Sequence, residues 1–514
     1  MNKLYIITKL LALALVIALL PSPLVLAEGG IQIDADPEGG YTGDYVLIYN
    51  DDFLSGTSLT SGFMTGLIET DIPQFGQRVP DGFDINSYKS KVVSQPDPYL
   101  EQTQTQDSSL PFGEVGFIKA FVIPEGLSPG RGDIAFQVIA AGQHCRVWSP
   151  LNPDYYPLEA IDPTAAEELV AAFDGHYDFM TRVFGAPVNL PGDGIINLMC
   201  YNVHEPTLAA FVNLADLYER ISVGGKQYQS NALAMLHLDT YGPTGFLRPD
   251  GAGGERQALS TTKAFMMHEY QHLITLSRSY LSDAYRERFE QGVRADFSRE
   301  SDETTWLTEF LSAGATVLTC PDNLLDYHLP NWFGANQVLL EATLPGLADI
   351  QPDQYNMALR GWNVFDWSRV RSYSLLAFLA LFAFDKGGED VFIKTIDLWE
   401  NQRQARGYKK PVQALMDAME YKDFTSFFED FILSLILHDK EFENGRYRLF
   451  PDGFSPEMDA VAGKMREWMI PQVNVGTVYV YDAGFALIKP VGGNYVPPVT
   501  ARKELKYMGI TLGR

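Results

Sequence analysis

Residues 263–275 read KAFMMHEYQHLIT, and this stretch places two histidines and a glutamate in apolar surroundings. The spacing of the apolar residues predicts a helix over about 258–278. His268 and His272 are four residues apart, so on a helix they lie on the same face, one turn from each other. Their rings can therefore aim at one point, where each could bind a metal ion through a neutral ring nitrogen.

Glu269 follows the first of these histidines and projects about 100° further round the helix. It does not join the same coordination shell easily, but it can reach a water held on the metal, which suits a general base. The alternative interpretation is a pair of core histidines that are hydrogen-bonded to their neighbours, which would need several buried partners. Five other histidines show no partner spacing and are predicted to be structural: His144, His176, His204, His237 and His438.

A catalytic zinc site has three protein ligands and one open position, so a third ligand must come from another part of the chain. One known arrangement places a histidine six residues after the second histidine, with a glycine at the third. Here those positions hold Arg278 and Thr275, which excludes it. The other arrangement uses a glutamate on a later helix, and the candidates are Glu287, Glu290, Glu300, Glu303 and Glu309.

Glu309 is the preferred third ligand because its neighbours are apolar. These neighbours are Trp306, Leu307, Phe310 and Leu311, and they predict a buried helix over 304–318. A lone carboxylate in such surroundings is costly unless it is paired or binds a metal. The other four glutamates lie in stretches that are rich in charged or polar residues. The alternative role for Glu309 is that of a buried salt-bridge partner.

Length and composition are those of a globular protein with a large core. The chain has 514 residues, of which 46% are hydrophobic and 20% are charged, and its length corresponds to about three domains. Its formal net charge of −26 opposes binding to nucleic acids and to anionic membranes. Cys145, Cys200 and Cys320 lack metal-binding spacing, and we expect buried apolar side chains with at most one disulfide.

The N-terminus has the pattern of a cleaved secretory signal peptide over residues 1–27. Lys3 and Lys9 precede the apolar run LLALALVIALL, and the small residue Ala27 ends the segment. A transmembrane anchor is the alternative, but the run is shorter than the ~20 residues that a spanning helix needs. The stretch 375–384 is also too short and predicts a buried helix. We therefore expect a secreted or periplasmic protein without stable membrane insertion after cleavage.

Changes in composition divide the rest of the chain into three regions. Residues 28–155 contain short strand-like runs and predict a β-rich domain. Residues 156–440 combine buried-strand candidates with helical periodicity, and residues 441–514 return to strand signals. We expect an α+β fold with β-rich N- and C-terminal regions around a mixed central domain. The predicted strand at 232–240 is either an edge strand along which a substrate could lie or a core strand.

Two motifs resemble the gluzincin class of zinc peptidases, and more closely the hyicolysin-type neutral zinc metallopeptidases. They are HEYQHLI (268–274) and WLTEFLSAG (306–314). That family has an HExxH helix and a W-x-x-E-x-x-S helix. The resemblance is clear over about 190–320 and weaker over 372–392, and it does not extend to 28–140 or to the last 70 residues.

The resemblance implies that His268, His272 and Glu309 bind Zn²⁺ and that Glu269 is the catalytic base. It implies a zincin-like domain with an HExxH helix, a glutamate helix and a helical C-terminal subdomain. The implied function is that of a secreted metalloendopeptidase acting on protein or peptide substrates. In the thermolysin type an aspartate four residues after the ligand glutamate orients a ligand histidine, whereas this chain has Ala313 there. Another group would have to orient that histidine.

A further hydrogen-bond donor should stabilise the oxyanion that develops on the substrate carbonyl. Tyr373, His328 and Tyr327 are candidates, with a slight preference for Tyr373.

Two other functions stay open. A secreted adhesin or binding protein on the same scaffold would have no need of Glu269. A zinc aminopeptidase would need an acidic group for the substrate amine, for which Glu255 is a candidate.

Overall fold

The computed structural model describes the following residues: 32–34, 40–51, 59–68, 97–105, 110–123, 133–151, 162–203, 209–218, 221–223, 226–228, 230–240, 254–281, 302–324, 328, 357–358, 368–404, 411–439, 445–451, 453–454, 458, 472–480, 484–490, 494–497 and 505–512. The predicted signal peptide lies outside these residues, as do Glu287, Glu290 and Glu300. The fold combines helices with sheets and agrees with the predicted α+β class at that level.

The described helices are α1 (Leu100–Thr105), α2 (Pro163–Phe184), α3 (Gly254–Tyr280), α4 (Asp302–Thr319), α5 (Ser368–Gly387), α6 (Val391–Gln404), α7 (Pro411–Ala418) and α8 (Phe424–Leu437), with a short 3₁₀ helix at Leu214–Leu217. The described strands are β1 (Gln32–Asp34), β2 (Tyr41–Thr42), β3 (Tyr45–Asn50), β4 (Leu59–Ile68), β5 (Ile118–Val122), β6 (Asp133–Ala141), β7 (Cys145–Pro150), β8 (Ile196–Tyr201), β9 (Ala210–Phe211), β10 (Ile221–Val223), β11 (Lys226–Tyr228), β12 (Met235–Asp239), β13 (Met357–Ala358), β14 (Gln472–Val480), β15 (Gly484–Ile488), β16 (Asn494–Tyr495) and β17 (Lys506–Thr511).

A six-stranded sheet supports the helices, in the order β5-β6-β7-β8-β12-β9. β7, β8 and β12 run parallel, while the strands at both edges pair antiparallel. Every residue of β8 and β12 is buried, as expected for apolar strands that are covered on both faces. β12 pairs with β8 on one side and with β9 on the other. The prediction of an edge strand at 232–240 is therefore wrong, and the alternative of a core strand is confirmed.

A five-stranded antiparallel sheet joins distant parts of the chain, in the order β1-β17-β3-β15-β13. β3 lies between β15 and β17, so strands from the predicted N- and C-terminal regions share one sheet. In the six-stranded sheet, β7 pairs with β8, which lies beyond residue 155. Tyr49 of β3 donates a hydrogen bond to Glu429 of α8 at 2.6 Å. Both sheets therefore cross the predicted regional boundaries.

The main hydrophobic core fills the space between the helices and one face of the six-stranded sheet. Leu236 and Leu238 of β12 point into it, whereas Met235 belongs to a second cluster on the opposite face. This alternation follows from the two-residue period of a strand. Cys145 and Cys200 are buried, as predicted, and Cys320 is partly exposed. All three cysteines are free, so the disulfide that three cysteines allow is not formed.

α5 confirms the buried helix that was predicted at 375–384. Its residues from Ser374 to Ala383 are buried, and α5 packs along α4, which in turn packs along α3.

Asp162 caps α2 by accepting a hydrogen bond from the Thr164 amide at 2.9 Å, with Pro163 in the first turn. Across the ranges given above, no helix combines the length with the apolar character that membrane crossing requires.

Gly314 allows α4 to approach its neighbours closely. A β-carbon at this position would lie 3.2 Å from Cβ of Ala380 in α5 and 3.4 Å from Cζ of Phe392 in α6.

We expect Gly314→Val to lower the free energy of unfolding by about 1–3 kcal/mol, because overpacking displaces these helices. Gly175→Val in α2 is the matched control, since a β-carbon there meets no atom within 4 Å. Denaturant unfolding should show a change of only a few tenths of a kcal/mol for the control. Equal effects in both variants would contradict the packing argument.

Candidate metal centre

His268 and His272 project from one face of α3, and their rings converge. The ring centroids are 4.7 Å apart and the ring planes are nearly perpendicular, at 81°. The two Nε2 atoms lie 3.1 Å from each other. The four-residue spacing in the sequence therefore produces the convergence that it predicts for a helix.

Glu309 of α4 completes a cluster with the two histidines. Its Oε2 lies 3.4 Å from Nε2 of His268 and 3.5 Å from Nε2 of His272. Ligand atoms at about 2.0–2.1 Å from a tetrahedral zinc ion are about 3.3–3.4 Å apart, so the three atoms match one face of such a tetrahedron. The cluster could hold a metal ion.

The burial of α4 positions Glu309 against α3. Trp306 and Phe310 are fully buried, and their rings stack with centroids 5.4 Å apart. Leu307 and Leu311 are also fully buried, which confirms the predicted buried helix. The Glu309 side chain keeps 16% of its surface exposed. An apolar helix thus holds one carboxylate at the edge of its packed face, within reach of the two imidazoles.

Exposure differs among the three cluster side chains. The His268 side chain is 5% exposed, and the side chains of His272 and Glu309 are 17% and 16% exposed. Burial by itself raises the pKa of Glu309, but the charge on His272 and the hydrogen bonds from both histidines bring this pKa well below its usual range. The carboxylate is therefore anionic, and the side chains of His272 and Glu309 keep part of their surface in contact with solvent.

Glu269 lies beside the cluster without being part of it. The residue is 7% exposed. Burial raises the pKa of its carboxyl group, and positive charge on His272 and His268 opposes that rise. A buried carboxyl group with a raised pKa, next to a cluster that could hold a metal ion, is suited to accept a proton and to release it again.

Two hydroxyl groups of α4 lie against the two histidines of the cluster. Ser312 Oγ is 3.1 Å from Nδ1 of His272, and Thr316 Oγ1 is 3.4 Å from Nδ1 of His268. Neither residue is among the predicted site residues. Their spacing of three and seven residues from Glu309 was the available signal, because it places all three on one helix face. Ala313, where thermolysin-type enzymes carry an aspartate, is buried.

The candidates for oxyanion stabilisation are only partly described. His328 is 2% exposed, and burial together with the charge of His268 lowers its pKa to about 3. Tyr327 lies outside the described residues, and so do the side chains of Tyr373, Glu303 and Glu255.

His237 of β12 has a structural role, as predicted. It is fully buried, with Nδ1 3.1 Å from Tyr201 Oη and Nε2 3.3 Å from Asp216 Oδ2. Its ring stacks on Phe211 of β9 with centroids 4.3 Å apart. These contacts attach β9 to the sheet next to α3.

A scan against protein-family models finds no family that matches the chain, and a search of curated proteins finds no match either. The function is therefore inferred from the geometry of the cluster and from the chemistry of its residues. The two motifs that resemble gluzincins contain the three residues of this cluster and Glu269.

Proposed function

We propose that the protein is a secreted zinc-dependent endopeptidase of the gluzincin type, with a zincin-like catalytic domain. His268, His272 and Glu309 would hold the zinc, and Glu269 would be the general base. The observation that carries the proposal is the convergence of two Nε2 atoms and one Oε2 atom from two helices, at separations of 3.1–3.5 Å. The substrates would be proteins or peptides, in keeping with a net charge of −26 that disfavours nucleic acids.

The donor set favours zinc over calcium or magnesium. Imidazole nitrogens suit zinc and other transition metals, whereas calcium and magnesium prefer oxygen ligands. Two histidines and one carboxylate also suit Fe(II) in oxygenases. The buried carboxyl group of Glu269 beside the cluster supports hydrolysis instead, because a proton acceptor at that place is what the attack of water requires.

The residues of the chain divide the proposed chemistry between them. When bound, zinc would polarise the peptide carbonyl and acidify water at the site. Glu269 takes a proton from the attacking water on a carboxylate oxygen and passes it to the leaving amine nitrogen. Two neutral imidazoles and the Glu309 carboxylate carry one negative charge, so a divalent ion there keeps a net positive charge. This residual charge supports its action as a Lewis acid.

Metal analysis combined with a protease assay tests this proposal. We expect the purified full chain to contain about one zinc and to cleave denatured casein, with cleavage lost in chelator and restored by added zinc. Mass spectrometry of the products should show internal cuts. Release of single N-terminal residues would instead indicate an aminopeptidase, and bound zinc without any cleavage would indicate a binding protein. Cleavage that persists after complete metal removal would refute the metal mechanism.

A further inference from the structure

We infer that the surface around Phe112 binds an acidic peptide segment of a partner protein, with Lys119 against a carboxylate of that segment and Phe112 against an apolar side chain. Phe112, Lys119 and Arg146 form this surface, which we call the Phe112 patch. It lies on the sheet face that carries the second core cluster, because Phe121 and Trp148 of that cluster are each two residues from one of the cations. The metal cluster of α3 lies on the other face, so binding at the patch would be independent of it.

Lys119 of β5 is a cation without a carboxylate partner among the residues that the structure describes. Its side chain is partly buried, and its Nζ lies 5.1 Å from the ring centroid of Phe112 and 5.4 Å from that of Phe121. Burial lowers the pKa of Lys119 and the charge of Arg146 lowers it further, while no acidic group in the described ranges raises it. Aromatic rings attract a cation but offer it no lone pair. Since an ammonium group has three N–H donors, Lys119 can still bind an anion from outside.

Arg146 of β7 adds a second cation to the patch. The residue is 3% exposed; its Nη2 pairs with Asp193, and its Nη1 donates to the carbonyl oxygen of Phe112 at 3.5 Å. Its Nε is buried and meets no hydrogen-bond acceptor in the described part of the chain. One carboxylate thus faces two cations, and the patch keeps a net positive charge. This charge is a local exception in a chain with a formal net charge of −26.

The turn that carries Phe112 is fixed against the sheet. Gly116 of this turn donates a backbone hydrogen bond to Val138 of β6 at 2.9 Å. The turn also lies directly on Arg146, since a β-carbon at Gly113 would be 1.4 Å from Nη1. Arg146 Cζ is 4.8 Å from the Phe112 ring centroid, so the ring contacts both cations. A surface that is held in this way loses little conformational entropy when a partner binds.

Phe112 gives the patch an exposed apolar surface next to its charge. The residue is 38% exposed, and Val115 in the same turn is 57% exposed. The ring packs on Phe117 and Trp148, with centroids 5.4 Å and 6.1 Å away. An exposed aromatic ring beside a cation that lacks a counter-ion fits a peptide with an apolar side chain next to a carboxylate. Single-stranded nucleic acids also stack on aromatic rings, but the net charge of the chain repels them.

NMR of the full chain labelled with ¹³Cε-lysine tests the contact with Lys119 directly. The probe is a short peptide that alternates glutamate with phenylalanine, and the control peptide has glutamine in place of each glutamate. The chain carries Glu269→Gln so that the proposed peptidase does not consume the probe, and Lys119→Met assigns the Lys119 signal. The glutamate peptide should shift this signal and raise the pKa of Lys119, because a nearby anion favours the ammonium form. The glutamine peptide should change neither.

Two NMR results would overturn the inference. The first is a Lys119 signal that does not respond to about 1 mM glutamate peptide, a concentration at which even a weak complex forms. The second is an equal response to inorganic phosphate, which would make Lys119 an unspecific anion site. Both results come from the chain with an intact patch, so they do not depend on the folding of a patch variant.

Fluorescence anisotropy of the labelled peptide measures the contribution of each side chain. Lys119→Met and Phe112→Ala should each weaken binding by about tenfold, as expected for truncation at the centre of an interface. Lys394→Met is the control for the charge, because Lys394 is 54% exposed on α6 and pairs with Asp390 at 2.7 Å. Val496→Ala is the control for the apolar surface, because Val496 is 63% exposed outside the patch. Both controls should stay within about twofold of the parent chain.

The outcomes separate the patch from the proposed function. Peptide binding that depends on Lys119 and Phe112, in a wild-type chain that neither binds zinc nor cleaves casein, would support the patch and refute the peptidase. Zinc-dependent cleavage together with peptide binding that survives both patch substitutions would refute the patch and leave the peptidase proposal intact. Tighter binding of a thymidine oligonucleotide than of the glutamate peptide, lost in the same two variants, would make the ligand a nucleic acid and overturn the inference.

Discussion

Glu269→Gln should reduce the rate of cleavage of a denatured protein by about 10²–10⁴-fold, the usual contribution of a general base. Glutamine matches glutamate in shape but cannot accept the proton of the attacking water. The Glu269 carboxylate lies outside the triangle of ligand atoms. The variant should therefore still bind about one zinc per chain. Initial rates on denatured casein, together with metal analysis of the same sample, measure both quantities.

Glu168→Gln is a suitable control for this variant. It removes a carboxylate from α2 that is 52% exposed and paired with Lys263 of α3, so it changes the formal net charge of the chain by the same amount. We expect its activity to equal that of the wild type. Unchanged activity in Glu269→Gln would reject the assignment of the base. Loss of zinc in Glu269→Gln would instead make Glu269 a metal ligand.

Glu309→Ala should release most of the bound zinc. The substitution removes the single anionic ligand of the cluster and leaves two neutral imidazoles. Loss of a group that only orients a ligand costs about 10–100-fold in affinity, so loss of the ligand itself should cost at least about 100-fold. Zinc content after gel filtration and a chelator competition measure the change, and proteolysis should fall with occupancy.

Glu389→Ala is the control for Glu309→Ala. Glu389 is 51% exposed and pairs with Arg182 at 2.7 Å on the surface. An exposed pair of this kind contributes little to stability, so zinc content should not change. Full zinc occupancy in Glu309→Ala would show that a different carboxylate completes the site, and the gluzincin proposal would then fail at its third ligand.

The convergence of His268, His272 and Glu309 could be predicted because its determinants are local. The four-residue spacing of the histidines determines their common face, and the apolar neighbours of Glu309 distinguish it from the other glutamates. The strand β12 could be predicted at 232–240 for the same reason, as a short apolar run with turn residues on either side. The buried run of α5 likewise follows from its composition alone.

The remaining features depend on contacts that leave no local pattern. β9 has only two residues, Ala210 and Phe211, which is too short to produce a periodic signal, yet it places β12 inside the sheet. The hydroxyls of Ser312 and Thr316 could be placed on the face of Glu309, but nothing in the sequence says that this face meets the two histidines at Nδ1. The pairing of β3 with β15 and β17 joins segments from opposite parts of the chain, which composition does not reveal.

The central position of β3 has a consequence for folding during synthesis. Asn50 pairs with Gly484 and Tyr49 with Lys506, so β3 gains neither neighbour until the ribosome has passed those residues. The entropy cost of closing a loop grows only slowly with its length, so the long separation adds little to the free energy of pairing. It does add a delay, because β3 stays unpaired while the intervening residues are synthesised. β3 is an apolar segment that is synthesised long before its two partner strands. An unfinished chain leaves this segment without either neighbour, and aggregation of such a chain should begin there.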